Sequence, residues 1–226
     1  MAASATALPW DMICCTTRGL SADMHRTVPP FLSRMKPQDP TPASRLSRED
    51  WLDFGLTVLR DEGPQALKAD PLCKRLGVTR GSFYWHFPSA GGFMLAVVER
   101  WEARATEQVI SAIAQSKGDA REKLRFLLRK VGELDTQLYE AINHLGGQHP
   151  ELAGVLRRVH DRRVHFVEGL LASLGFDATE ARVRAQVVYA WAMGELLTRE
   201  PSRRAFSKPQ IDAIERLLMV QPDQRP

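Results

Sequence analysis

The chain has 226 residues, a hydrophobic fraction of 44% and a formal net charge of +4. This length allows one large or two modest domains, and the apolar fraction is sufficient for a buried core. No apolar run approaches about 18 residues, so we expect no membrane-spanning helix, and the N-terminus lacks the long apolar segment of a secretory signal. The cysteines Cys14, Cys15 and Cys73 do not form a disulfide framework, so we expect a reducing, cytoplasmic setting.

Residues 1–45 are rich in proline, serine and threonine and show no sustained hydrophobic periodicity. Such a composition predicts a disordered N-terminal tail. Met24 and Met35 lie within this stretch, so a later start codon is an alternative to a real tail.

The first predicted helix begins at Ser47, which stands three residues before Asp50. This spacing is typical of a capping box, and the carboxylate also favours the positive end of a helix. Gly63 and Pro64 mark its end. One buried face is expected over about four turns, formed by Leu52, Leu56 and Leu59.

A second and a third short helix follow, joined by a turn at Gly77. Asp70 is a candidate cap for the second helix, and Pro71 fits its first turn because the missing amide has no helical partner there. Val78 would fill the turn, and Thr79 would cap the third helix. The inner face of the second helix is predicted to contain Leu72, Cys73 and Leu76.

The rest of the chain has a helical pattern throughout and no convincing alternation for a strand. Helices are predicted near 90–115, 119–145, 149–174, 178–198 and 208–220, with a possible break at Arg157. The expected separators are Gly146 with Gly147, Gly175 and Pro201. The prediction is an all-α chain with a tail (1–45), a three-helix helix-turn-helix domain (46–104) and a larger helical domain (105–226).

The segment LCKRLGVTRGSFYWHF, residues 72–87, places polar and aromatic residues on one face of the third helix and Phe83 and Phe87 on the other. From Ser47 to about Trp101 the chain resembles the N-terminal DNA-binding domain of the TetR family of bacterial transcriptional regulators. The stretch LGVTRGSFYWHFPS is the most specific part. The resemblance implies a helix-turn-helix that inserts its third helix into a DNA major groove.

The resemblance also implies residue roles. Arg80 would pair with guanine edges, Thr79 and Ser82 would bond phosphate or base edges, and Trp85 would pack on sugars or thymine methyl groups. Tyr84 and His86 match positions that touch phosphate, and Gly81 leaves space near the groove. The candidate DNA-contacting residues are therefore Ser47, Lys68, Thr79, Arg80, Gly81, Ser82, Tyr84, Trp85 and His86.

Alternatives exist for several of these positions. Tyr84 and Trp85 could instead be core aromatics, and Lys68 could be a solvated surface lysine that makes no phosphate contact. The chain also departs from the family at Ala90, where a phosphate-binding lysine is common, and at Lys68, where a threonine or serine usually caps the second helix. The cap is therefore expected to move to Asp70.

Metal binding and catalysis find little support. His144 and His149 are five residues apart, as are His160 and His165, and five residues turn a helix by about 500°, which leaves each pair on different faces. No Gly-rich phosphate loop, nucleophile elbow or carboxylate-histidine motif is present. We expect no metal, no cofactor and no enzyme activity. A helical enzyme or carrier with an N-terminal docking module is a remote alternative.

The resemblance implies a cavity in the C-terminal domain that binds a small-molecule effector. Candidates are polar or aromatic residues at mostly apolar positions, although Trp191 and Phe166 could equally be ordinary core residues. The candidate ligand-binding residues are Tyr139, Asn143, His165, Phe166, Trp191 and Glu195, with Met193 beside them.

The resemblance further implies a homodimer through a four-helix bundle, which suits a palindromic operator in double-stranded DNA. Candidate contacts are small residues of the penultimate helix and the apolar stripe of the last helix, namely Ala185, Val188, Ala192, Gly194, Ile211, Ile214, Leu217 and Leu218. The expected function is a ligand-responsive repressor. An activator of the same fold is the alternative, and the operator and effector remain open.

Overall fold

The computed structural model describes residues 46–199 and 206–220; the predicted tail and Pro201 lie outside them. These residues contain no strand, which confirms the all-α prediction. Within these two ranges, ten α-helices follow one another: α1 (Arg48–Glu62), α2 (Ala69–Leu76), α3 (Arg80–His86), α4 (Ala90–Glu102), α5 (Gln108–Gln115), α6 (Ala120–Val131), α7 (Thr136–Gln148), α8 (Pro150–Ser173), α9 (Ala178–Thr198) and α10 (Lys208–Met219). None of these described helices has the length and apolarity needed to cross a membrane.

Helix α1 has the predicted capping box. The Asp50 amide donates to Ser47 Oγ at 3.1 Å, and the Ser47 amide donates to Asp50 Oδ2 at 2.9 Å. The helix ends where Gly63 adopts a φ of 79°, a left-handed value that favours glycine. Both ends of α1 are therefore determined by residues next to them in the sequence.

The predicted cap of α2 is wrong. Helix α2 begins two residues earlier than expected, with Lys68 at the N-cap position and no side-chain cap. The Leu72 amide donates to the Lys68 carbonyl at 3.2 Å, so Asp70 already lies inside the first turn. There its carboxylate favours the positive helix end and pairs with Arg80.

The predicted helix over 90–115 is confirmed in extent but contains an unpredicted π-helical segment, Ala103–Glu107, between α4 and α5. Arg163 of α8 binds this segment through the Ala105 carbonyl oxygen and the Thr106 hydroxyl. A contact between residues this far apart leaves no local sequence signal, and π segments often mark functional positions in helices.

The single helix predicted over 119–145 is wrong, because the chain turns between α6 and α7. Asp135 Oδ1 accepts the Leu138 amide at 3.1 Å and so begins a new helix. Arg199 stabilises the turn by donating to the carbonyl oxygens of Gly132 at 2.6 Å and Leu134 at 3.0 Å. The partner that fixes this turn is therefore more than 60 residues away.

Gly146 and Gly147 do not separate two helices, as predicted, but lie inside α7. The chain breaks instead at His149, just before Pro150, which occupies the first turn of α8. A Cβ at Gly146 would lie 2.1 Å from Leu156 Cδ1, so this glycine allows α7 and α8 to approach closely. Helix α8 then runs unbroken through Arg157.

The described residues pack into two apolar clusters. The first joins the cores of α1, α2, α3 and α4 to α7 and α8, and includes Trp51, Phe83, Tyr139 and Val155. The second lies between α6, α8, α9 and α10. Because the first cluster crosses residue 104, the proposed domains 46–104 and 105–226 share a continuous core.

The residues predicted for a dimer interface are mostly buried within one chain. Ala185 and Val188 of α9 are 0% and 4% exposed, and Ile211 and Leu218 of α10 are 1% and 7% exposed. These four side chains fill the second cluster, so their assignment to the interface is wrong. Leu217 of α10 is exposed.

Glu215 in α10 is a buried carboxylate that binds Arg121 and Arg125 of α6. Burial raises the pKa of Glu215, but the hydrogen bonds from the two arginines outweigh it, so the pKa lies below the usual value of 4.5. The ionised form is therefore favoured in the folded state. The resulting stability is fully present above pH 4.5 and is lost as the pH falls through the folded-state pKa.

The variant Glu215→Gln should lower the free energy of unfolding by about 2 kcal/mol at pH 7, because hydrogen bonds to a charged acceptor are removed. This difference from the natural chain should shrink below pH 4.5. Urea denaturation at several pH values measures both effects. A difference that is independent of pH would contradict the role of the Glu215 charge.

Candidate nucleic-acid interface and ligand cavity

The turn between α2 and α3 has the predicted geometry. Gly77 has a φ of 65° and a ψ of 29°, a left-handed conformation that other residues rarely adopt. Its amide and that of Val78 both donate to the Cys73 carbonyl oxygen, which closes the end of α2. Thr79 Oγ1 then accepts the Ser82 amide at 3.4 Å and caps α3, as predicted.

The inner face of α3 is held by aromatic packing. Phe83 is 0% exposed, and its ring centroid lies 5.5 Å from that of Trp51 and 5.2 Å from that of Phe93. Phe87 lies 4.8 Å from Phe93. Edge-to-face aromatic contacts stabilise beyond the burial of area alone, so α3 is fixed firmly to α1 and α4.

The outer face of α3 carries large side chains in solvent. Trp85 is 79% exposed and Tyr84 is 44% exposed, so neither is a core aromatic. Arg80, one turn before Tyr84, has a 64% exposed side chain. An exposed tryptophan next to a tyrosine, on a helix with an arginine in its first turn, is unusual for a surface with no partner.

Arg80 is already oriented by its neighbours. Its Nε lies 2.9 Å from Asp70 Oδ1, and its guanidinium carbon lies 5.9 Å from the centroid of the Tyr84 ring. Both partners of the ion pair are well exposed, and such pairs contribute at most about 1 kcal/mol. The pair therefore positions the guanidinium without preventing it from turning to a base edge.

Five other candidates were predicted to contact DNA. The hydroxyls of Ser47 and Thr79 are engaged as helix caps. A Cβ at Gly81 would meet only Thr79 Oγ1, at 3.6 Å, so the surface there is open. Ser82 is half-buried beside it, and Lys68 is exposed at the start of α2.

His86 connects the end of α3 to the start of α1. Its Nε2 lies 2.9 Å from the Leu46 carbonyl oxygen, which leaves one ring nitrogen for another partner. Arg48, which we did not predict, is exposed nearby with its guanidinium 5.3 Å from the centroid of the Phe87 ring. A charged residue at a helix start is too common to identify this position from sequence.

A cavity of about 110 Å³ opens in the C-terminal helices beside the π-helical segment. Its walls are almost entirely apolar. The lining residues are Ala105, Thr106, Val109, Ile110, Leu127, Lys130, Val131, Glu133, Leu134, Tyr139, Arg163, Phe166, Val167, Val188, Tyr189, Ala192 and Met193.

The cavity brings together Tyr139, Phe166 and Met193 from the predicted ligand-binding set. The other four residues lie outside it. Asn143 donates to the Tyr139 carbonyl oxygen at 2.9 Å, and His165 has a 75% exposed side chain. Trp191 packs on Phe206, with ring centroids 5.2 Å apart, and Glu195 Oε2 is buried with no hydrogen-bond partner among the described residues.

Sequence reasoning missed five polar or charged residues of the cavity, namely Thr106, Lys130, Glu133, Arg163 and Tyr189. Arg163 is one of several arginines in α8, and no pattern distinguishes it from Arg158, which binds Glu102 on the surface. Burial raises the pKa of the Tyr189 phenol, so this side chain is neutral at pH 7.

Comparison with known proteins supports the N-terminal assignment. Residues 52–97 match the family model described as bacterial regulatory proteins, tetR family. The chain is 30% identical over 87 residues to the HTH-type transcriptional regulator AcrR of Shigella flexneri. This alignment covers 38% of the chain and 40% of AcrR, so the chain matches less than half of that relative's length.

Solved structures share the fold over a longer span. The reduced form of NemR from E. coli has a TM-score of 0.64 at 19% identity, covering 76% of this chain and 95% of NemR. GusR of Salmonella enterica has a TM-score of 0.63 at 15% identity, covering 76% and 92%. A transcriptional regulator from Saccharomonospora viridis, solved in complex with choline, has a TM-score of 0.57 at 15% identity, covering 76% and 92%. The chain therefore matches the tetR family model over residues 52–97 and shares the fold of these solved regulators over about three quarters of its length.

Proposed function

We propose that the protein is a ligand-responsive repressor that binds a palindromic operator as a homodimer. The observation that carries the DNA-binding part is the two-sided structure of α3. Phe83 is fully buried, whereas Trp85 beside it is 79% exposed. A rigidly supported helix with an exposed aromatic and basic face is suited to a major groove.

The roles of the individual side chains follow from their positions on α3. Arg80 lies in its first turn, where the N-terminal residues of a recognition helix approach base edges, and a guanidinium matches the O6 and N7 acceptors of guanine. Tyr84 and Trp85 would contact the sugar-phosphate backbone, and Lys68 at the start of α2 would reach a phosphate. Ala90 supplies no such charge at the start of α4.

The dimer is supported by a stripe of exposed residues along α9. Val183, Val187 and Leu197 are 52%, 56% and 47% exposed, and Ala190 and Gly194 lie between them at helical spacing. Apolar side chains in solvent along one helix face favour contact with another copy. A two-fold axis through α9 would place two α3 helices on successive major grooves, which matches a palindrome.

Ligand response is supported by the position of the cavity. The π-helical segment, which contributes Ala105 and Thr106 to the cavity wall, directly continues α4, and α4 packs against α1 in the shared core. A small molecule that binds one arrangement of these helices more tightly shifts the population toward it. The operator would be released if, in that arrangement, the distance between the α3 helices of the two subunits no longer matched the spacing of successive major grooves.

Selection of bound fragments from the source genome tests the DNA-binding proposal and should return a site with two symmetric half-sites. In titrations on that site, Arg80→Ala should weaken binding by about 1 to 3 kcal/mol. In footprinting, the variant should lose protection at one or two positions of each half-site. Lys117→Ala removes the same charge from an exposed loop after α5 and serves as the control.

Affinity should also fall steeply with salt, because phosphate contacts release counterions. An Arg80→Ala variant with the natural footprint and affinity would refute the role of Arg80. Selected sites without two-fold symmetry would refute the dimeric arrangement on DNA.

A further inference from the structure

In the part of the chain that the structure describes, one positive charge in the cavity wall has no acidic partner. Three charged residues lie in its wall: Lys130, Glu133 and Arg163. Lys130 Nζ binds Glu133 Oε2 at 2.5 Å, so their charges offset each other. No carboxylate lies within ion-pairing distance of Arg163 among the described residues.

Arg163 is held by neutral groups instead. Its Nε donates to Thr106 Oγ1 and its Nη2 to the Ala105 carbonyl oxygen, each at 2.9 Å. Its guanidinium carbon lies 5.4 Å from the ring centroids of both Trp101 and Tyr139. These contacts orient the guanidinium without neutralising it and leave some of its N–H donors unused.

The same wall also contains a buried hydroxyl, that of Tyr139, with no hydrogen-bond partner in the described ranges. Tyr139 is 4% exposed. Native proteins leave few buried polar groups unsatisfied. The Tyr139 ring also lies against Arg163, so the orphan hydroxyl and the unneutralised cation belong to one side of the cavity.

We propose that this cavity binds an effector with an apolar body and a carboxylate, in which Arg163 pairs with the carboxylate and the Tyr139 hydroxyl donates to it. This inference rests on the ligand response proposed above. Apolar residues such as Val109, Val167 and Met193 would surround the body of the effector. A cationic effector would meet the positive charge of Arg163, and a neutral one would leave that charge without an anion.

The test uses isothermal calorimetry on the full-length protein without DNA. The probes are straight-chain carboxylates from butanoate to dodecanoate, each compared with the primary amide and the primary amine of equal chain length. At the best chain length, the carboxylate should bind at least about tenfold more tightly than the amide, because its hydrogen bonds are charge-assisted. The proposal would be overturned if the amide or the amine bound with the same affinity as the carboxylate, or if no carboxylate bound.

Three variants locate the interaction. Tyr139→Phe removes only an unpartnered hydroxyl, so it should keep the natural melting temperature and weaken carboxylate binding about tenfold while leaving amide binding unchanged. Arg163→Gln should remove the preference for carboxylate over amide. Arg163→Lys keeps the positive charge and should retain part of that preference, and it provides a second test if the glutamine variant does not fold. A preference that survives in the glutamine variant would place the carboxylate elsewhere.

Operator titrations with the same probes separate this inference from the proposed function. If carboxylates bind, lose affinity in the Arg163 variants and yet leave operator affinity unchanged, the proposed carboxylate site is supported and the proposed ligand response is refuted. If amines or amides release the operator and carboxylates do not, the ligand response stands and the carboxylate inference fails.

Discussion

Replacing Phe83 with alanine should lower the free energy of unfolding by about 3 to 5 kcal/mol, the range for truncating a buried phenylalanine. The ring is 0% exposed and packs against Trp51, Phe87 and Phe93. These neighbours belong to different parts of the fold, so they cannot move together to fill the space. Urea denaturation followed by circular dichroism measures the loss.

Trp85→Ala is the matched control for Phe83→Ala, because it removes a larger aromatic side chain from the opposite face of α3. With 79% of Trp85 exposed, the free energy of unfolding should change by less than about 0.5 kcal/mol, whereas operator affinity should fall. Equal destabilisation by the two substitutions would contradict the two-sided structure of α3.

Gly55→Val should lower the free energy of unfolding by about 3 kcal/mol through overpacking between α1 and α4. A Cβ at residue 55 would lie 2.6 Å from Val97 Cγ2 and 2.8 Å from Phe93 Cζ. Both neighbours are 0% exposed and have no free space to move into. The two helices would have to separate, which denaturation curves would report as reduced stability.

Gly154→Ala provides the contrast to Gly55→Val. Gly154 lies within α8, and a Cβ there would meet no neighbouring atom within 4 Å. Alanine at this position should therefore raise the free energy of unfolding by about 0.5 to 1 kcal/mol through its better helix propensity. If Gly55→Val proves as harmless as Gly154→Ala, the close contact of α1 with α4 is not rigid.

The parts of the fold that could be predicted depend on neighbouring residues. The capping box of Ser47 with Asp50, the left-handed turn at Gly77 and the Thr79 cap each form within a few positions of the chain. The two faces of α3 could also be predicted, because buried and exposed positions alternate with the helical period. The structure of the helix-turn-helix region could therefore largely be predicted from the sequence.

The parts that could not be predicted depend on distant partners. The turn before α7 is fixed by Arg199, and the π-helical segment is bound by Arg163. Two residues of the predicted dimer interface were misassigned for a related reason: Ala185 and Val188 have the composition of an interface, but they are buried in the second apolar cluster of the same chain. Which face of an apolar helix remains uncovered is decided only by tertiary packing.

The π-helical segment Ala103–Glu107 has a geometric consequence for the whole fold. A π turn contains one residue more than an α turn, and each residue of an α-helix rotates the chain by about 100°. The segment therefore sets the rotation about the helix axis between α4, which packs on α1, and α5, which borders the cavity. A homologue one residue shorter here could keep an unbroken helix yet turn a different side of α4 toward α1. Insertions and deletions at this point would thus alter the coupling between the two ends of the molecule without changing any residue at either site.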